Sequence, residues 1–158
     1  MALQSAKPGG SYFEFDQACN EGAVIVFKVR EFESPRQMTN GEVNPVLVDL
    51  VVLTGSQART VVRGESVIGA GITGPLRRSA VGDDIVCRMA WGQRKGSSIV
   101  YPQANAATDE DMAIARRAFE ATNGDPYSAA ERAANPTATL APAPAAPVQP
   151  APVAQAAP

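Results

Sequence analysis

Residues 22–103 read GAVIVFKVREFESPRQMTNGEVNPVLVDLVVLTGSQARTVVRGESVIGAGITGPLRRSAVGDDIVCRMAWGQRKGSSIVYPQ. Five strand-like runs lie in this stretch, with one short insert, Ile72 to Ala80, between the third and the fourth. The first run, Ala23 to Glu33, puts Ile25, Phe27 and Val29 on one side and Lys28, Arg30 and Phe32 on the other. Such period-two alternation predicts a half-buried strand. The second, Val46 to Thr54, is almost continuously apolar and therefore predicts a central strand. The third, Arg59 to Ile68, contains Gly64, which predicts a bulge or bend. The fourth, Asp84 to Trp91, alternates Ile85, Cys87, Met89 and Trp91 with Val86, Arg88 and Ala90, and the fifth, Ile99 to Gln103, carries Tyr101.

Three strands, an insert and two more strands is the layout of the OB-fold, a small, partly open Greek-key barrel that binds oligonucleotides or oligosaccharides. The expected class is mainly β: a five-stranded OB-fold-like Greek-key barrel with a short helix between strands three and four, near Pro75 to Ser79. Two loops take the positions that meet ligand in this fold: Ser34 to Pro45, with its Asn40-Gly41 turn, and the hairpin Gly92 to Ser98, with Gln93, Arg94 and Lys95. The run Gly69-Ala70-Gly71-Ile72-Thr73-Gly74 is a literal G-x-G-x-x-G, but Pro75 follows it and Val81-Gly82-Asp83 turns back into a strand. Too little chain remains for a βαβ crossover, so the run predicts a glycine-rich barrel corner, not a dinucleotide site.

Beyond Ala104 the pattern changes. Thr108 precedes Asp109, Glu110 and Asp111, then Met112, Ala115 and Phe119 recur at helical spacing. An N-cap, acids in the first turn and an apolar stripe predict an amphipathic helix, ended by Asn123-Gly124. From Asn135 onward the chain has no charged residue and holds seven of the thirteen prolines. It lacks the apolar side chains to offset the entropy of ordering, which predicts a disordered tail. The expected organisation is a flexible N-terminus over 1–11, an OB-fold domain with its C-terminal helix over 12–124, and an Ala/Pro-rich disordered tail over 125–158 that opens with at most one weak turn, Tyr127 to Ala134.

The formal net charge is −2, yet residues 22–104 hold ten Lys/Arg against seven Asp/Glu. A moderately basic barrel can hold a phosphate backbone inside an acidic chain, and a mixed solvated surface fits the same count. The absence of histidine removes Ser–His–Asp and Cys–His nucleophile systems and most zinc sites. No enzyme activity, metal or other cofactor is expected. Cys19 and Cys87 occupy unlike contexts and predict reduced thiols. No apolar segment near the N-terminus reads as a signal peptide and no run is long enough to span a bilayer, so a cytoplasmic protein without membrane contact is expected.

The candidate groove residues are Lys28, Arg30, Phe32, Arg59, Arg63, Arg88, Trp91, Arg94, Lys95 and Tyr101. Cations meet phosphates and rings stack on bases, the two needs of a single-stranded nucleic-acid groove. Trp91 carries two readings: a stacking platform beside a basic loop, or a core residue in line with Ile85, Cys87 and Met89.

Gly22 to Val29, Val51 to Gly55, Gly82 to Met89, and Tyr101-Pro102 leading to Asp109 to Ala113 together resemble phage-encoded single-stranded-DNA-binding proteins of the OB-fold type, over residues 12–121. The resemblance implies a non-catalytic protein in the host-cell cytoplasm that coats single-stranded DNA with little sequence preference during phage DNA replication or recombination. Many such proteins end in an acidic, partner-recruiting tip; this chain ends in uncharged Ala/Pro, so its tail has no assigned partner. A homo-oligomer is compatible with this reading. The alternative is a phage virion structural or assembly protein, a small β-barrel with a flexible Ala/Pro arm.

Overall fold

The computed structural model describes residues 13–39 and 41–134. The segments expected to be flexible or disordered at 1–11 and 135–158 lie outside the described residues. Among the described residues are seven strands, β1 (Val24–Phe32), β2 (Arg36–Met38), β3 (Gly41–Val43), β4 (Val46–Val52), β5 (Val61–Val67), β6 (Asp84–Gln93) and β7 (Val100–Ala106), and four helices. The helices are α1 (Asp16–Glu21), α2 (Ala70–Leu76), α3 (Asp109–Ala121) and α4 (Pro126–Ala134).

The five long strands form one antiparallel sheet in the order β5-β4-β1-β6-β7. The expected barrel is not closed: β5 and β7 end the sheet and do not pair with each other. The loop expected at 34–45 holds a second, two-stranded sheet made by β2 and β3.

β1 lies at the centre, and its sequence explains why. On one face Ile25, Phe27 and Val29 meet Val48, Leu50 and Val52 of β4, Cys87 and Met89 of β6, and Ala104 of β7. Phe13, α1 (Ala18, Cys19) and α2 (Ile72, Leu76) cover that face. On the other face Val26 and Val51 meet Ala115 of α3 and Tyr127 and Ala130 of α4. A strand covered on both faces needs consecutive apolar residues, as Val24 to Phe27 supply. Full burial of a side chain such as Phe27 contributes roughly 1.5–3 kcal/mol.

Two register shifts re-aim side chains. The first falls between Val29 and Glu31 of β1. It leaves Arg30 beside Asp49 on the helix-covered outer face but turns Phe32 toward the main core, opposite Val46. Lys28, Arg30 and Phe32, expected on one face, are therefore divided between two. The second shift falls opposite Asp49, where Gly64 has a φ of +71° and donates its N–H to Asp49 Oδ1 at 2.9 Å. Glycine adopts that conformation without a Cβ clash, and the expected bulge is there.

The helices depart from expectation more than the strands. α2 begins within the glycine-rich run itself, and Pro75 sits in its last turn. Thr108 caps α3 as expected, in a reciprocal capping box with Asp111. Of its stripe, Ala115 is buried, Phe119 is partly buried and Met112 stays exposed. Residues 126–134, expected to begin the tail, form α4 with Tyr127 buried. No helix among the described residues is long and apolar enough to cross a membrane.

Candidate nucleic-acid interface

At the open side of the sheet lies a cleft of about 890 Å³. One wall is the C-terminal end of β5 with the turn into α2, residues 65–72; the other is the β6–β7 hairpin, with Gln93, Arg94, Lys95, Ile99, Tyr101 and Pro102. Phe15 contributes from the N-terminal side. The lining is mostly apolar, with the two cations of the hairpin at one wall. Ile68, Ile99, Val100 and Tyr101 are large apolar side chains left exposed around it.

Tyr101 is seated by two glycines. It pairs across the strands with Gly92, where an added Cβ would strike Gln103 Oε1 and lie 2.7 Å from the ring. A Cβ on Gly71 of α2 would lie 2.9 Å from the same ring and would also strike the Pro102 carbonyl oxygen. Both glycines are thus spaces the ring needs, and they hold it in place while 37% of the residue stays exposed. A fixed, half-exposed ring beside two exposed cations suits base stacking next to phosphate contact.

Of the ten sequence candidates, the structure brings Arg94, Lys95 and Tyr101 together at this cleft. Four others face charges elsewhere. Arg30 and Arg63 converge on buried Asp49, at 2.6 and 3.1 Å. Arg63 also binds Glu131 and Ser128 of α4 at 3.0 and 3.1 Å. Lys28 lies 3.0 Å from Asp84, whose Oδ1 also accepts the Tyr127 hydroxyl at 2.9 Å. The Tyr127 ring lies between Lys28 and Arg63, 5.6 and 5.4 Å from its centroid. Arg88 grips Asp111 through two hydrogen bonds, Nε to Oδ2 at 3.0 Å and Nη2 to Oδ1, and donates to the Gly22 carbonyl at 3.0 Å. Arg88 thus ties α3, and Arg63 and Lys28 tie α4, to the outer face of the sheet, while Arg30 joins β1 to β4 through Asp49.

Electrostatics follow the same division. Burial pushes the Asp49 carboxyl up, but the Gly64 N–H and the Arg30 and Arg63 guanidiniums outweigh it and leave it below the usual carboxylate range. The Arg88 hydrogen bonds hold Asp111 low against its own burial. Burial, then the Asp84 charge, raises the Tyr127 phenol. Both cysteines are free and buried, and burial pushes the Cys87 thiol up to about 12. That is the environment of an inert thiol.

The remaining three candidates lie apart from the cleft. Arg59 is exposed in the β4–β5 turn, at the opposite end of β5. Phe32 is half-buried under the Arg77 guanidinium, 5.4 Å from its ring centroid. Trp91 has an intermediate position: 38% exposed, its Nε1–H donating to Asn20 Oδ1 of α1 at 2.7 Å. Sequence reasoning missed Phe15, Glu65, Ile68 and Ile99. Ile68 and Ile99 were legible as large apolar residues abutting polar turns; Glu65 was legible only as an acid within a strand. Among the described residues no three His, Cys, Asp or Glu side chains gather as a metal site. The chain matches no family model, no curated protein and no solved structure.

Proposed function

We propose that the protein binds single-stranded DNA in this cleft, with bases against Tyr101 and the apolar walls and phosphates toward Arg94 and Lys95. The strand order carries the reading. An OB barrel opened between its third and fifth strands gives five strands in the order found here, third-second-first-fourth-fifth, with the helix between the third and fourth. OB-folds bind oligonucleotides on the face of strands two and three, between the loops that follow the first and fourth strands. The cleft adjoins the third strand and the loop after the fourth. Its binding is non-catalytic and tolerant of sequence, as fits a coat on phage single-stranded DNA in the host cytoplasm.

Fluorescence anisotropy with a labelled oligonucleotide, as single strand and as duplex at two salt concentrations, tests this. Single strands bind more tightly, because duplex hides the base faces that stacking uses, and affinity falls with salt as counterions are released. Equal affinity for duplex, or no binding at low salt, removes the proposal.

A further inference from the structure

Three carboxylates are buried among the described residues: Asp49, Glu65 and Asp111. Asp49 and Asp111 each hold guanidinium partners. Glu65 does not. It is 4% exposed, lines the cleft, and has one hydrogen-bond partner among the described residues, the Phe13 N–H, which donates to Oε2 at 3.3 Å. It stands on β5 where Val62 and Val67 also turn toward the main core. A valine there would continue the pattern without the desolvation cost that a buried carboxylate carries. Burial raises its carboxyl, and the Phe13 N–H offsets that only in part. A carboxylate at the wall of a cleft, with a single donor among the described residues, has acceptor capacity that a ligand's donor can use.

We infer that Glu65 reads the bases in the cleft, accepting a hydrogen bond from an exocyclic amino group. This rests on the single-stranded-DNA reading above and adds a modest base preference, about five- to tenfold, to binding that otherwise tolerates any sequence. Cytosine and adenine present such an amino group on their pairing edge, as does guanine, whereas thymine presents its N–H between two carbonyl oxygens that repel a carboxylate. Cytosine and uracil are the sharpest pair: both are single-ring bases with similar stacking faces, and they differ at position 4 in amino against carbonyl. Arg94 and Lys95 take phosphates of either strand alike, so they set affinity and Glu65 sets preference.

The test is anisotropy with oligo-dC and oligo-dU of equal length at pH 8, with wild type and Glu65→Gln. Wild type binds oligo-dC about five- to tenfold more tightly, the lower part of the range for a base-edge contact. Glu65→Gln can both donate and accept, so it binds the two within about twofold of each other while melting at or above the wild-type temperature. If both oligonucleotides bind the wild type equally, or if the variant keeps the full preference, Glu65 does not read bases while the cleft still binds DNA. If neither oligonucleotide binds, the cleft reading itself falls, and this inference with it. Should the variant fold poorly, equal binding of the two oligonucleotides by the wild type still overturns the inference.

Discussion

Replacing Arg88 by alanine separates a structural cation from a DNA-binding one. Its partner Asp111 is fully buried, and Arg88 itself is 40% exposed. Cutting a buried pair by removing one partner costs roughly 3–5 kcal/mol, because an uncompensated charge stays behind. Water already reaches the guanidinium and screens the attraction, which reduces the loss to about 2–3 kcal/mol. At about 4 °C per kcal/mol for a domain of this size, the melting temperature falls by about 10 °C. Asp111→Ala also loses the capping-box contact to Thr108, and the double variant loses less than the two single losses added together, since the pair is removed once. Thermal and urea unfolding measure all three, and the single-stranded-DNA salt slope of Arg88→Ala stays at the wild-type value. A variant that melts within about 1 °C of wild type, or one that folds normally and loses about one unit of salt slope, refutes the assignment.

Neutralising Arg94 and Lys95 together lowers affinity for every sequence and reduces the salt slope by about one to two units, read in the same anisotropy assay. Gly92→Ala puts a methyl group against the Tyr101 ring and the Gln103 side-chain oxygen and weakens single-strand binding with a smaller effect on melting; an unchanged affinity counts against a role for the seated ring. Trp91→Ala costs less stability than the roughly 3–5 kcal/mol of a fully buried tryptophan, because part of the ring is already in water, and urea unfolding checks it. Acid titration separates the carboxylates. Asp111 and Asp49 are held low, so their contribution is present above the unfolded carboxylate value of about 4 and is lost as pH falls through the lower folded values. Glu65 is held high, so its cost appears as pH rises through its folded value, and the melting advantage of Glu65→Gln appears at neutral pH and vanishes below about pH 4.

The five long strands were legible because burial writes a period of two, or in β4 a continuous apolar run, into the chain; β2 and β3 bury no side chain and read as loop. The bulge at Val29–Glu31 was not, since no glycine or proline marks it, and it moved Phe32 off the face of Lys28 and Arg30. α1 is six residues long and mostly polar; what holds it is the burial of Ala18 and Cys19, a tertiary contact. α4 likewise depends on Tyr127 reaching Asp84, 43 residues earlier in the chain. The cleft cations were legible because a hairpin loop between two strands is exposed by construction. The clamp cations looked the same as them in sequence. Their acids, Asp49, Asp84 and Asp111, lie 14 to 56 residues away, and only the folded chain pairs them.

The central position of β1 also constrains how the chain is made. Its first neighbour, β4, follows closely, but its second, β6, joins Lys28 to Asp84 and so arrives only after α2 has been synthesised. Until then one hydrogen-bonding edge of this central, largely apolar strand stands open. At roughly 5–20 residues per second that interval lasts several seconds on the ribosome. Non-local pairing of this kind makes folding slow and leaves nascent chains prone to join one another edge to edge. Substitutions that weaken β6 should therefore lower soluble yield more than their effect on the melting temperature of the finished protein would indicate.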